Sequence, residues 1–235
     1  KPFYSQEHNV ELKLYNSLSK QKEVFKPMQE GKIKIYVCGV TVYDYCHIGH
    51  ARTYLAFDVI MRFLRSIGYD VEYVRNITDI DDKIIKRAQE QNQDWQHVVD
   101  TFVKTMDEDF ASLGIIKPNK EPRATKTIPE MLEMIQTLID KGYAYVAENQ
   151  DVYFSVQEYK DYGALSGQNL ESLRSGERVE PNPHKKHPYD FVLWKHAKPG
   201  EPKWSSPWGD GRPGWHIECS CMTKSIFGDR FDIHG

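Results

Sequence analysis

The sequence predicts an α/β chain: a parallel, mononucleotide-binding sheet interrupted by an insertion. Three observations predict it. A β-branched run at residues 33–37 follows Gly31, passes through a turn bearing glycine and histidine, and opens into apolar residues at helical spacing over residues 49–67. A second apolar run at residues 71–74 follows, so strand, helix and strand succeed one another as a parallel sheet requires. From about Glu121 to about Trp204 this rhythm breaks and the composition shifts, and the rhythm resumes at residues 215–234. At 235 residues the chain holds one large domain, or a domain with an insertion.

The elements follow in order. Residues 12–18 alternate apolar and polar positions, as an outer strand does, and Phe25, Lys26 and Pro27 lead into the first core strand. Asp79 to Asp82 start a helix, because acids in a first turn cap it and complement its dipole. Residues 95–113 form a further helix closed by Gly114. Residues 127–142 read as an amphipathic helix ending at Gly142, with a hairpin from residues 143–146 and 152–156. Residues 163–188 are polar and rich in Gly, Ser, Pro and charge, hence a loop, and residues 189–194 recover a strand. After the Pro and Gly punctuation of residues 199–213, a helix at 215–227 and a strand at 231–234 return to the nucleotide fold. The expected organisation is an N-terminal segment and first half-sheet in residues 1–120, an insertion in 121–204, and the start of the second half in 205–235.

The net charge of −3, with bases interspersed among acids, gives no sign of a nucleic acid, so any such contact must be local. No run of about 18 apolar residues and no signal-peptide pattern is present, which predicts a cytoplasmic chain that does not engage a membrane. Four cysteines, Cys38, Cys46, Cys219 and Cys221, suit a reducing compartment and a metal or catalytic use better than a disulfide frame. The chain starts at Lys1 without Met, and residues 1–10 read as a trimmed or disordered leader.

The chemistry concentrates in Tyr36-Val37-Cys38-Gly39-Val40-Thr41-Val42-Tyr43-Asp44-Tyr45-Cys46-His47-Ile48-Gly49-His50. In such folds ligands gather at the carboxyl ends of the strands, and phosphates sit over a helix N-terminus. His47 and His50, three apart in a first turn, face the same way, and Gly49 lets a phosphate chain or adenine approach the backbone. A second half-site lies far downstream, in Gly214-Trp215-His216-Ile217-Glu218-Cys219. Taken alone, Cys38 and Cys219 are either small buried hydrophobes or metal ligands. Asp79, Asp81 and Asp82 read as caps and solvent-paired acids rather than a metal cluster.

His47-Ile48-Gly49-His50 resembles the "HIGH" signature of class I aminoacyl-tRNA synthetases, and its flanks resemble the cysteinyl enzymes of that class. The flanks are residues 36–41, the block Val74-Arg75-Asn76-Ile77-Thr78-Asp79-Ile80-Asp81-Asp82-Lys83, and Arg212-Pro213-Gly214-Trp215-His216-Ile217-Glu218-Cys219. The resemblance implies a Rossmann-like parallel sheet with a connective-peptide insertion near the tRNA acceptor end, truncated in its second half. It implies ATP with Mg2+, L-cysteine and tRNA(Cys) as substrates, His47 and His50 as the catalytic histidines, and a monomer at full length. It implies Zn2+ held by Cys38 and Cys219, with further ligands and the "KMSKS" lysine beyond Gly235, so that the site here is partial. Gly39, Thr41, Thr53, Asn76, Ile77, Thr78, Trp215 and His234 would line the cysteinyl-adenylate pocket. Cys46 and Cys221 do not align with ligands, and His216 and Glu218 read as structural. Met222-Thr223-Lys224-Ser225 looks like "KMSKS" but sits one strand too early. Two alternatives stand beside this reading: a mycothiol-type cysteine ligase with an amino-sugar acceptor, and a non-catalytic fragment.

Overall fold

Two exposed strands, β1 (Lys13–Asn16) and β2 (Gln21–Val24), open the described chain as an antiparallel hairpin. The computed structural model describes residues 11–167 and 182–235; the leader expected at residues 1–10 and part of the loop expected at 163–188 lie outside them. The single strand expected over residues 12–18 is corrected here. The Asn16 side-chain oxygen accepts the Leu18 N–H, Lys20 adopts a φ of 57°, and the chain doubles back.

The central sheet comes next: β3 (Lys32–Val37), α1 (Ile48–Ser66) and β4 (Asp70–Arg75). β3 and β4 pair in parallel from Lys32↔Asp70 to Val37↔Arg75. The last strand, β9 (Ile233–His234), pairs in parallel on the other side of β3, so the sheet order is β4-β3-β9. Alternation along β3 explains why both faces are covered: Ile33, Ile35 and Val37 enter one core and Tyr36 enters the other. The first core is closed by Tyr54, Met61 and Leu64 of α1, and by Phe102, Met106 and Phe110 of α3 (Trp95–Ser112). α1 therefore buries one stripe at helical spacing and leaves Val59 and Phe63 outside.

α2 is Asp82–Glu90, three residues later than the sequence suggests. Asp81 is its cap, accepting the Lys83 N–H, whereas both Asp79 oxygens are taken by Thr125. The second core joins Tyr36 and Val74 to Met131 and Ile135 of α4 (Ile128–Asp140), to Trp194, and to Ile217 and Met222 of α5 (Trp215–Phe227).

The other sheet is antiparallel, ordered β5-β6-β7-β8, from β5 (Ala144–Val146), β6 (Val152–Phe154), β7 (Phe191–His196) and β8 (Gly211–Pro213). β7 starts two residues later than expected because Asp190 closes a turn, taking the N–H groups of His187 and Val156. β8 is hidden in the sequence by its Gly and Pro. Gly211 is required there, since a Cβ would lie 2.4 Å from both the Lys195 carbonyl oxygen and the Trp194 indole nitrogen. β9 is shorter than expected because the Asp232 carboxylate takes the N–H groups of Met28 and Lys34. Among the described residues no helix is long and apolar enough to cross a membrane.

Candidate active site at the carboxyl ends of the central strands

Cys38 follows the last residue of β3, and its N–H reaches the Gly235 carbonyl oxygen at 2.8 Å. Its sulfur lies 3.0 Å from the Cys219 sulfur, a residue 181 positions away in the first turns of α5. All four cysteines are free thiols. The Cys219 thiol brings the Cys38 thiol down to about 5 against the opposing effect of burial, and the His234 imidazole adds to the fall. The same contact, with burial, pushes the Cys219 thiol up. One proton shared by two sulfurs explains both directions.

The floor beneath this pair is a hydrogen-bonded chain. The Gly39 N–H donates to the Asn76 side-chain oxygen at 2.8 Å, and the Cys219 thiol lies 3.8 Å from that same oxygen. Asn76 Nδ2 lies 3.4 Å from the Thr78 hydroxyl, which donates to Glu218 Oε2 at 2.7 Å. Thr41 and Thr78 bridge in parallel fashion, with the Thr78 N–H on the Val40 carbonyl. Gly39 must be glycine, because a Cβ would stand 1.5 Å from the Asn76 carbonyl oxygen. Tyr54, two turns into α1, donates from its hydroxyl to the Cys38 carbonyl at 2.9 Å. The Arg75 guanidinium lies 5.2 Å from the Tyr54 ring centroid and is itself paired with Glu121.

The histidine turn is built differently. His47 caps α1: its Nδ1 accepts the Gly49 N–H at 3.1 Å, and His50 Nδ1 accepts the His47 N–H at 3.2 Å. The rings stack with centroids 3.9 Å apart. Because each Nδ1 is an acceptor, the neutral rings carry their protons on Nε2, so each retains an N–H donor beside the helix N-terminus. Burial and the neighbouring His47 lower the pKa of His50, which favours that neutral form. Ile48 between them is 86% exposed. Thr53 donates to the Gly49 carbonyl within the helix.

The structure therefore brings together Cys38, Gly39, Thr41, Asn76, Thr78 and Cys219, with His234 beside Cys38 and the ring of Tyr36 5.7 Å from that of His234. Ile77 is buried in the first core. Trp215 is 63% exposed and lies against His216, ring centroids 4.0 Å apart. These two rings line a cavity of about 330 Å³ on the side of the antiparallel sheet, together with Tyr153, Lys185, Lys195 and Arg212. Its acid Asp82 is paired with Lys195 and Arg212. Cys46 packs against the first core and Cys221 is buried in the second, pushed up to about 11 by burial. Among the described residues no group of three or more His, Cys, Asp or Glu side chains is arranged to hold a metal ion.

A family model described as tRNA synthetases class I (C) catalytic domain matches residues 24–235. The chain belongs to this family. Two curated relatives illustrate how near the resemblance runs. The cysteine–tRNA ligase of Laribacter hongkongensis (strain HLHK9) is 61% identical over 224 residues, 95% of this chain and 49% of the relative. The cysteine–tRNA ligase of Francisella tularensis subsp. tularensis (strain SCHU S4 / Schu 4) is 64% identical over 220 residues, 94% of this chain and 47% of the relative. The chain spans about half the length of the curated relatives it matches. Among solved structures, Mycobacterium tuberculosis methionyl-tRNA synthetase in complex with methionyl-adenylate aligns with a TM-score of 0.58 at 13% identity, covering 84% of this chain and 47% of that one. That likeness establishes the fold: an α/β architecture with a parallel sheet, as in class I synthetases.

Sequence reasoning missed two members of the site. Tyr54 is indistinguishable from a core aromatic until its hydroxyl is seen on Cys38. Glu218 was legible: positions 218, 221, 222 and 225 share one helical stripe, and a carboxyl on a stripe with Cys221 and Met222 is out of place unless it has a partner there.

Proposed function

We propose that this chain is the amino-terminal catalytic half of a cysteine–tRNA ligase of the cytoplasm, activating L-cysteine with ATP and passing it to tRNA(Cys). The observation that carries the reading is the thiol pair, Cys38 and Cys219, set 3.0 Å apart at the strand ends beside a capped histidine turn. The curated relatives bear the same activity in their names, which favours a tRNA over an amino-sugar acceptor.

Activation joins a cysteine carboxylate oxygen to the α-phosphorus of ATP and releases pyrophosphate. In this reading the N-terminus of α1 and the Nε2–H groups of His47 and His50 face the phosphates. They stabilise charge that grows on the phosphoryl oxygens in the transition state, by position and electrostatics rather than proton transfer. Gly39, Thr41, Thr53, Asn76, Thr78, Trp215 and His234 line the adenylate pocket, and residues 121–204 form an insertion that meets the acceptor end. The donor chemistry of the pair, two thiols with an imidazole adjacent, fits a borderline-soft ion, so Cys38 and Cys219 would hold zinc. When bound, such an ion separates thiol from hydroxyl by affinity for sulfur. Cys38 and Cys219 present the sulfurs, Tyr54 fixes the Cys38 backbone, and the Asn76–Thr78 floor excludes water below.

The test is amino-acid-dependent ATP–pyrophosphate exchange on the full-length protein. Exchange with cysteine and not with serine is expected. Exchange that is indifferent to cysteine, or driven by another amino acid, would overturn the reading.

A further inference from the structure

Tyr36 carries a polar group that the fold leaves without a partner. The residue is 0% exposed in the second core, and its hydroxyl makes no hydrogen bond among the described residues. Buried tyrosine hydroxyls ordinarily find a partner, and one left unsatisfied costs stability. Phenylalanine would fill the same space without that cost, so the orphaned hydroxyl calls for an acceptor that the site acquires in use. Tyr36 and Cys38 are two positions apart and share a face of the sheet, and both pack with Cys219 around that core. The polar neighbours of the hydroxyl are the Cys219 sulfur and the Thr223 hydroxyl. Thr223 directs its own proton to the Cys219 carbonyl oxygen, at 2.6 Å.

The direction of a bond between Tyr36 and Cys219 follows from the two groups. Burial and the adjacent Cys219 push the phenol up, so it keeps its proton and can donate. A thiol is a weak acceptor, and here the Cys219 sulfur is turned to Cys38 at 3.0 Å. A sulfur that has given up its proton to bind an ion is a far better acceptor, because it is charged and keeps lone pairs that the ion does not use. We propose that Tyr36 is a positioning residue: its hydroxyl donates to the Cys219 sulfur when that sulfur holds the ion, and so fixes the direction from which the sulfur binds. The inference rests on the zinc-binding reading of Cys38 and Cys219 above, and extends it to a residue that touches neither the ion nor the substrate.

The experiment titrates zinc into the metal-free full-length protein in competition with a chromophoric chelator, so that affinity is read without turnover. Tyr36→Phe keeps the ring and weakens zinc binding about tenfold, the lower end of what losing a hydrogen bond to a metal ligand costs, while the Tm of the metal-free protein stays level or rises. Cobalt(II) in place of zinc gives a second reading: its thiolate charge-transfer band moves to longer wavelength in Tyr36→Phe, because the sulfur loses a hydrogen bond that stabilised its electrons. Thr223→Val leaves the Tyr36 hydroxyl in place and holds zinc within about twofold of wild type. A metal-free Tm that falls in Tyr36→Phe with the cobalt band unmoved would make Tyr36 a packing residue and overturn its role. An equal loss of zinc affinity in Thr223→Val would also overturn it, by placing the partner of the hydroxyl at Thr223. Should wild type bind neither zinc nor cobalt, the metal reading of the thiol pair falls and takes this inference with it. Zinc binding in wild type with the same constant in Tyr36→Phe leaves the metal reading standing and removes only the inference.

Discussion

The histidine turn and the thiol floor sit at the same edge of one sheet and are made by opposite means. The turn is local: His47, Gly49 and His50 satisfy one another within a single helical turn, and the segment is exposed. The floor is non-local, joining Gly39 to Asn76 across 37 positions, Thr78 to Glu218 across 140 and Cys38 to Cys219 across 181. A local device can be read from sequence and altered with little risk to the fold. A non-local one exists only when the whole domain closes, so damage to it is damage to stability.

That contrast orders the expected effects of substitution. Gly39→Ala should be the most damaging, because its Cβ would meet backbone that cannot yield. A loss of at least about 3 kcal/mol in urea unfolding is expected. A loss below 1 kcal/mol would show that the floor is softer than its hydrogen bonds imply. Tyr54→Phe removes a buried donor from the Cys38 carbonyl and should cost about 1–2 kcal/mol. The same variant should weaken cysteine binding, read as a higher KM for cysteine with an unchanged KM for ATP. His47→Ala removes only a cap, and about 1 kcal/mol or less is expected in thermal unfolding, with the larger consequence falling on the rate of adenylate formation in single-turnover assays.

The smallest expected effect is a pH dependence. His50 has its pKa lowered in the fold, by burial and then by His47, so the unfolded chain binds its proton more readily. The stabilisation is therefore present above the unfolded-state pKa and is lost as pH falls through the lower folded-state value. Protonation also removes the Nδ1 acceptor that holds the His47 N–H. Tm should fall on acidification from about pH 7 to about pH 5, and His50→Ala should fall less over the same interval. An equal decline in both would assign the pH effect to other groups.

Legibility followed the same division. The parallel half-sheet and α1 were readable because period, glycine spacing and the strand–turn–helix order are patterns of neighbouring residues, the scale on which local pattern operates, whereas the capping role of His47 was not read from the sequence. The hairpin at Lys13–Val24 was not, because the alternation of residues 12–18 says nothing of the turn at Lys20. β8 was masked by residues that ordinarily end strands, kept there because Gly211 lets β8 pass against Trp194. In the site, Cys38 and Cys219 stood out by residue type and Glu218 carried a signal in its helical stripe, whereas Tyr54 acquires meaning only from the partner that folding brings to it.

One measurement tests most directly whether the two regions divide the chemistry between them. Cysteine-dependent pyrophosphate exchange and the preference for cysteine over serine would be recorded side by side for full-length wild type, His47→Ala and Cys219→Ser. The expected result is a double dissociation: His47→Ala slows exchange with the preference unchanged, and Cys219→Ser collapses the preference. A Cys219→Ser protein that still selects cysteine as the wild type does would contradict the assignment of the thiol pair as the discriminating element.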